Sequence, residues 1–156
     1  MMGGGEWMNA TVRRALVGVL AVLAVAAVAV QAAVAQTVTP PPGSPLRTAI
    51  LDALRPVVEA EVGPPVEFVI EQFNVLGEWA FVRARPQRKG GGAIPYTYSR
   101  YQAFVDAGSF SGRVTALLRQ TPIGWLVYGY DLGAGHAVWV EWQGFFPVPP
   151  DVFEIK

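Results

Sequence analysis

Gly63-Pro64-Pro65 divides the chain into two regimes of hydrophobic periodicity, and no other feature constrains the fold as strongly. Before it, Leu46, Ile50, Leu54 and Val57-Val58 fall on one stripe with Leu51 beside it, the spacing of an amphipathic helix. Ser44 stands where a side-chain oxygen caps free amides, and Pro45 where a missing N–H costs nothing. Pro56 lies inside that pattern, so a kink or break is expected near Arg55, with a further turn to Ala60.

Beyond the stop the period changes to that of strands. Val66 to Val75 is rich in Val, Ile and Phe, and Glu78 to Arg85 follows after Leu76-Gly77, a hairpin-length link. Arg113 to Gln120, Gly124 to Asp131 and Ala137 to Trp142 are three further strand candidates. Gly90-Gly91-Gly92 between Pro86 and Pro95 marks a loop, and Tyr96 to Ala107 reads either as a turn of helix or as an extended arm. Pro147 to Pro150 is unsuited to a central strand and is expected along an edge. The fold class is therefore α+β: one N-terminal amphipathic helix packed on a curved antiparallel sheet of four to five strands. Ala80, Val82 and Ala84 are small enough to lie beneath the helix, whereas Trp79 and Phe81 point the other way. One short helix covers only one face, so something else must cover the second.

Leu51-x-x-Leu54-Arg55, Phe68-Val69-Ile70, Trp79-Ala80-Phe81-Val82, Ala116-Leu117-Leu118-Arg119, Gly124-Trp125 and Trp139-x-x-Trp142 together resemble small exported bacterial proteins of uncharacterised function. The order of elements from Leu46 to Phe153 is similar to cystatin-like and NTF2-like rolls. These are packing residues, so the resemblance implies a cystatin-like roll but carries no activity. The Gln-x-Val-x-Gly hairpin that cystatin-type inhibition implies does not occur in this chain.

The chain opens with Arg13-Arg14, a charge-free run from Ala15 to Val30, and small residues at Ala33-Val34-Ala35. This pattern predicts a signal peptide over 1–35 and hence an exported, periplasmic or extracellular protein. An uncleaved N-terminal anchor is the competing reading, although Gln31 and the abundance of alanine make a poor permanent span. Met8 is an alternative start, and Val12 before the arginine pair favours general secretion over a twin-arginine route. Residues 36–44 read as a Pro-rich linker, a short stiff spacer, and 45–156 as one α+β domain.

There is no cysteine, which excludes a lipidated cysteine, disulfides and thiolate metal sites. The twelve basic and twelve acidic residues balance, and removing Arg13, Arg14 and Glu6 leaves one excess acidic group. Such a balance makes no case for nucleic acid or anionic lipid.

No motif identifies a reaction, and no cofactor or metal is expected. The catalytic candidates are Asp131 and His136, which flank Leu132-Gly133-Ala134-Gly135 and could pair as acid and base, with Glu141 as a third group. Arg83, Arg85, Arg88 and Lys89 form a basic run beside the triple glycine, a place where backbone amides can receive an anion. The surplus of large aromatics suggests a recognition surface on Trp79, Phe81, Tyr96, Tyr98, Tyr101, Tyr128 and Tyr130, with core packing the competing reading and the favoured one for Trp79 and Trp125. The expected function is thus a non-catalytic exported binding module whose aromatic sheet face dimerises or holds a peptide, glycan or apolar ligand. An NTF2-like enzyme using Asp131 and His136 in a concave pocket is the alternative.

Overall fold

The computed structural model describes residues 35–154, so the leader expected over 1–35 lies, but for Ala35, outside the described residues. The elements are α1 (Pro45–Val62), β1 (Glu67–Leu76), β2 (Trp79–Gln87), α2 (Gln102–Asp106), β3 (Val114–Thr121), β4 (Gly124–Leu132), α3 (Trp139–Phe145) and a 3-10 turn at Pro150–Phe153. Among the described residues the architecture is α+β, with three α-helices and four antiparallel strands in the order β1-β2-β3-β4. Gly77-Glu78 and Pro122-Ile123 are too short for a crossover, so their flanking strands pair antiparallel. The longer connection from β2 to β3 carries α2.

Helix α1 starts where Ser44 Oγ accepts the Arg47 N–H at 3.3 Å and ends at Gly63, whose φ is 75°. The expected kink at Arg55 does not split it: Pro56 lies within one continuous helix. Asp52, Pro56 and Ala60 share the exposed stripe, so the carbonyl released by the proline, that of Asp52, faces water instead of core. On the opposite stripe Ile50, Leu54 and Val58 are fully buried. They pack on Val82, Ala84, Ala116 and Leu118, and the small residues let the helix approach the sheet closely.

The second face is closed by the chain's own C-terminal segment. Leu76, Trp79, Phe81 and Leu117 form a separate core with Val148, Val152 and Phe153, flanked by Trp139, Trp142 and Phe146. Phe81 meets Phe153 and Trp139 edge-on at centroid distances of 5.0 and 5.4 Å. Asn74 Nδ2 donates to the carbonyls of Val152 (2.9 Å) and Glu154 (2.8 Å), and Gln72 Nε2 donates to Glu154 O (2.9 Å).

Two expectations are corrected here. Ala137 to Trp142 is not a strand; Trp139–Phe145 is helical, and the turn sets Trp139 against Phe81 and Trp142 over Gly129. The Pro147–Pro150 stretch does not run along an edge either, since Val148 is buried in the second core.

Within residues 36–44, read from the sequence as a short stiff Pro-rich linker, Val38 bridges to β1. Val38 and Val75 exchange backbone hydrogen bonds of 2.8 Å, Pro40 is buried, and Arg47 binds the Pro40 carbonyl at 3.0 Å while stacking on Phe73. Two register shifts complete the sheet, between Ile70 and Gln72 on β1 and opposite Leu117/Leu118 on β4. The second one decides which face Tyr128 and Tyr130 take. Leu118 pairs with Val127 but Leu117 pairs with Gly129, leaving Tyr128 as the extra residue. Without that bulge, simple alternation would put Tyr128 and Tyr130 on one face. With it, Tyr128 packs against Trp79 and Phe146, and Tyr130 joins the α1 side.

Candidate functional site

A carboxylate sits where the apolar stripe of α1 runs out. Glu61 Oε1 accepts the Tyr130 hydroxyl at 2.6 Å and Arg100 at 2.8 Å, and its Oε2 accepts the Tyr101 hydroxyl at 3.1 Å. Arg100 also donates to the Tyr101 hydroxyl at 2.8 Å and lies over that ring. Tyr101 thus accepts from a cation and donates to an anion. Behind it Tyr96, Tyr101 and Phe110 form an aromatic wall, with Tyr96 and Phe110 centroids 4.5 Å apart.

Hydrogen bonding to Glu61, aided by burial, raises the Tyr130 phenol above its ordinary value. For Tyr101 burial is the larger cause of a raised value, and burial likewise raises Tyr96. The hydroxyls therefore stay neutral donors.

Two adjoining hollows open beside this network and share Tyr101, Phe104, Asp131 and Leu132. The first, about 420 Å³, is completed by Arg100 and Tyr130. The second, about 390 Å³, is completed by Ser109, Phe110 and the turn Gly133-Ala134-Gly135-His136. Gly133 is required there: its φ is 101° and a Cβ would run into the Phe110 ring. The first hollow is thus the more polar and phenolic, while the second adds the Phe110 ring together with Ser109 and His136.

Asp131 and His136 both line the second hollow. Asp131 Oδ1 is already engaged, accepting the Ala134 N–H at 2.8 Å and fixing the turn, while His136 is exposed. Glu141 is exposed in the first turn of α3 and is not among the residues lining either hollow. Among the described residues no cluster of three His, Cys, Asp or Glu side chains could hold a metal ion.

The aromatic candidates separate. Trp79 and Phe81, named as recognition candidates with core packing the favoured reading for Trp79, are 3% and 0% exposed, because α3 and the 3-10 turn cover them. Tyr96, Tyr101 and Tyr130 belong to the cleft network, Tyr128 is partly exposed near Phe146, and Tyr98 is fully exposed at φ 62°. The basic run also disperses. Arg88 donates to the carbonyls of Val62 and Gly63 and so ties down the end of α1. Arg83 and Arg85 alternate onto the second sheet face, away from the glycines.

Glu61, Arg100, Phe104 and Phe110 went unmarked in the sequence. Glu61 had a readable signal, since Leu54, Val58 and Glu61 follow helical spacing and place a carboxylate on a buried stripe. Among the described residues no helix is long and apolar enough to cross a membrane. No protein-family model, curated protein or solved structure matches this chain.

Proposed function

We propose that the protein is an exported, non-catalytic binding module whose site is the cleft between α2 and the C-terminal end of β4. The export pattern of residues 13–35 supports the location, and the helix-then-meander order supports reading the domain as a cystatin-like or NTF2-like roll. The observation that carries the site is a pair of adjoining hollows, polar at Arg100, Tyr130 and Asp131 and apolar at Phe104, Phe110 and Leu132. That polarity fits a small amphipathic ligand, its apolar body on the rings and its hydrogen-bonding head at the phenols. The burial of Trp79 and Phe81 argues against the sheet face as the site and so supports the choice of this cleft.

An acid–base role for Asp131 and His136 is the second reading, favoured by their sharing one hollow. It is the weaker one, because Asp131 is committed to its turn.

The test is ligand-detected NMR with phenyl glucoside, which joins an aromatic ring to a polar head. Saturation transfer to the probe is expected, and Phe104→Ala, at a half-exposed position, is expected to abolish it. Undiminished transfer in that variant would remove the cleft from consideration.

A further inference from the structure

Apart from His136, the cleft is lined by two side chains of charged type, Arg100 in the first hollow and Asp131 in both. Their situations differ. Arg100 is neutralised, since its Nη2 lies 2.8 Å from Glu61 Oε1 and also donates to the Tyr101 hydroxyl. Asp131 has no ion-pair partner among the described residues. Its Oδ1 accepts the Ala134 N–H at 2.8 Å, whereas Oδ2 accepts from nothing among the described residues and is not sealed from solvent. Two hydroxyls on the same walls are acceptors too. Tyr130 gives its proton to Glu61 Oε1 at 2.6 Å and Ser109 gives its own to the Phe104 carbonyl at 3.3 Å, so each oxygen keeps lone pairs for another donor. The half-exposed Phe104 ring lines both hollows, in company with the unpaired carboxylate.

We propose that the ligand of the cleft is a cation, a primary ammonium carried on an aromatic body. This rests on the cleft reading above and specifies the head group that the cleft selects. The ammonium is a donor with three protons and no acceptor, which matches a wall whose free oxygens, Asp131 Oδ2 and the Tyr130 hydroxyl, are acceptors. Its charge gains a charge-assisted hydrogen bond at Asp131 and the negative face of an open aromatic ring at Phe104. The ligand's own ring lies on Phe104, Phe110 and Leu132. An anionic head fares worse, because Glu61 already holds Arg100 and the unpaired Asp131 repels it.

The experiment measures dissociation constants by amide-shift titration of the full protein at neutral pH. The probes are phenethylamine, its neutral counterpart phenethyl alcohol, its anionic counterpart hydrocinnamate, and phenyl glucoside. Phenethylamine is expected to bind about tenfold or more tightly than phenethyl alcohol, and hydrocinnamate more weakly than either. Asp131→Asn is expected to erase the advantage of the amine over the alcohol. That substitution keeps an Oδ1 acceptor for the Ala134 N–H, and with it the turn. Added salt gives a second readout in the unaltered protein: it weakens phenethylamine and leaves phenethyl alcohol alone. Equal affinity for amine and alcohol, or an advantage of the amine that survives Asp131→Asn, would overturn the ammonium while glucoside binding keeps the cleft. Tighter binding of hydrocinnamate would put an anion at Arg100 and overturn it as well. If none of these probes binds, the cleft reading itself fails, and the ammonium with it.

Discussion

A carboxylate on the buried stripe of a helix is tolerated only if its partners replace water. Glu61 has three, and Tyr101 among them is 7% exposed. Glu61→Ala is expected to destabilise by about 1–3 kcal/mol, because two phenols lose their acceptor, and urea unfolding measures it. The same network sets an alkaline limit. The folded pKa of Tyr130 lies above the ordinary 10.0, so as pH rises the unfolded chain loses this proton first. Stability is full below pH 10 and declines as pH climbs through the folded value. Tyr130→Phe should flatten that decline in denaturation midpoints. Glu71 works in the opposite range: Arg113 and Arg85 hold its pKa below the ordinary 4.5. Its contribution is present above pH 4.5 and is lost as pH falls through the folded value, and Glu71→Gln should remove that acid dependence.

Helix α1 shows how position decides what a breaker residue does. Pro56 looked like a break because propensity counts the lost hydrogen bond, but its stripe, with Asp52 and Ala60, is solvated. Pro56→Ala is expected to stabilise by about 1–3 kcal/mol, read as a raised Tm, since it restores that bond on an exposed face. The apolar stripe itself was legible: Ile50, Leu54 and Val58 stand at helical spacing and are the buried ones. The Ala80-Val82-Ala84 face was legible too, because strand alternation exposes one set of residues to the helix. The segment Ala137 to Trp142 misled because Val138, Trp139 and Val140 are strand-favouring residue types, whereas the three-residue spacing of Trp139 and Trp142 puts both rings on one face only in a helix. The β4 bulge left no sequence mark, so the separation of Tyr128 from Tyr130 was unreadable, and with it the cleft. At this scale the C-terminal cover is the element to test. Asn74→Ala is expected to loosen its hold, giving faster amide exchange at Val152 and Phe153 while α1 stays protected.

On the scale of the domain, one sheet is covered on one face by α1 and on the other by the segment from α3 to the 3-10 turn. That arrangement answers the question raised by the surplus aromatics. Many of them are core on one side or the other, and Tyr101 and Tyr130 line a cleft at the margin, where α2 and the β4 turn meet. Phe153→Ala should therefore behave as a core truncation, costing about 3–5 kcal/mol in denaturant unfolding, and not as a loss of ligand affinity alone. The most direct test is backbone amide shift mapping on the labelled protein with phenyl glucoside added. Changes confined to Arg100, Tyr101, Phe104, Phe110 and the stretch from Tyr130 to His136 are expected. Changes centred on Trp79 and Phe81, with the C-terminal segment displaced, would contradict a closed sheet and a marginal site.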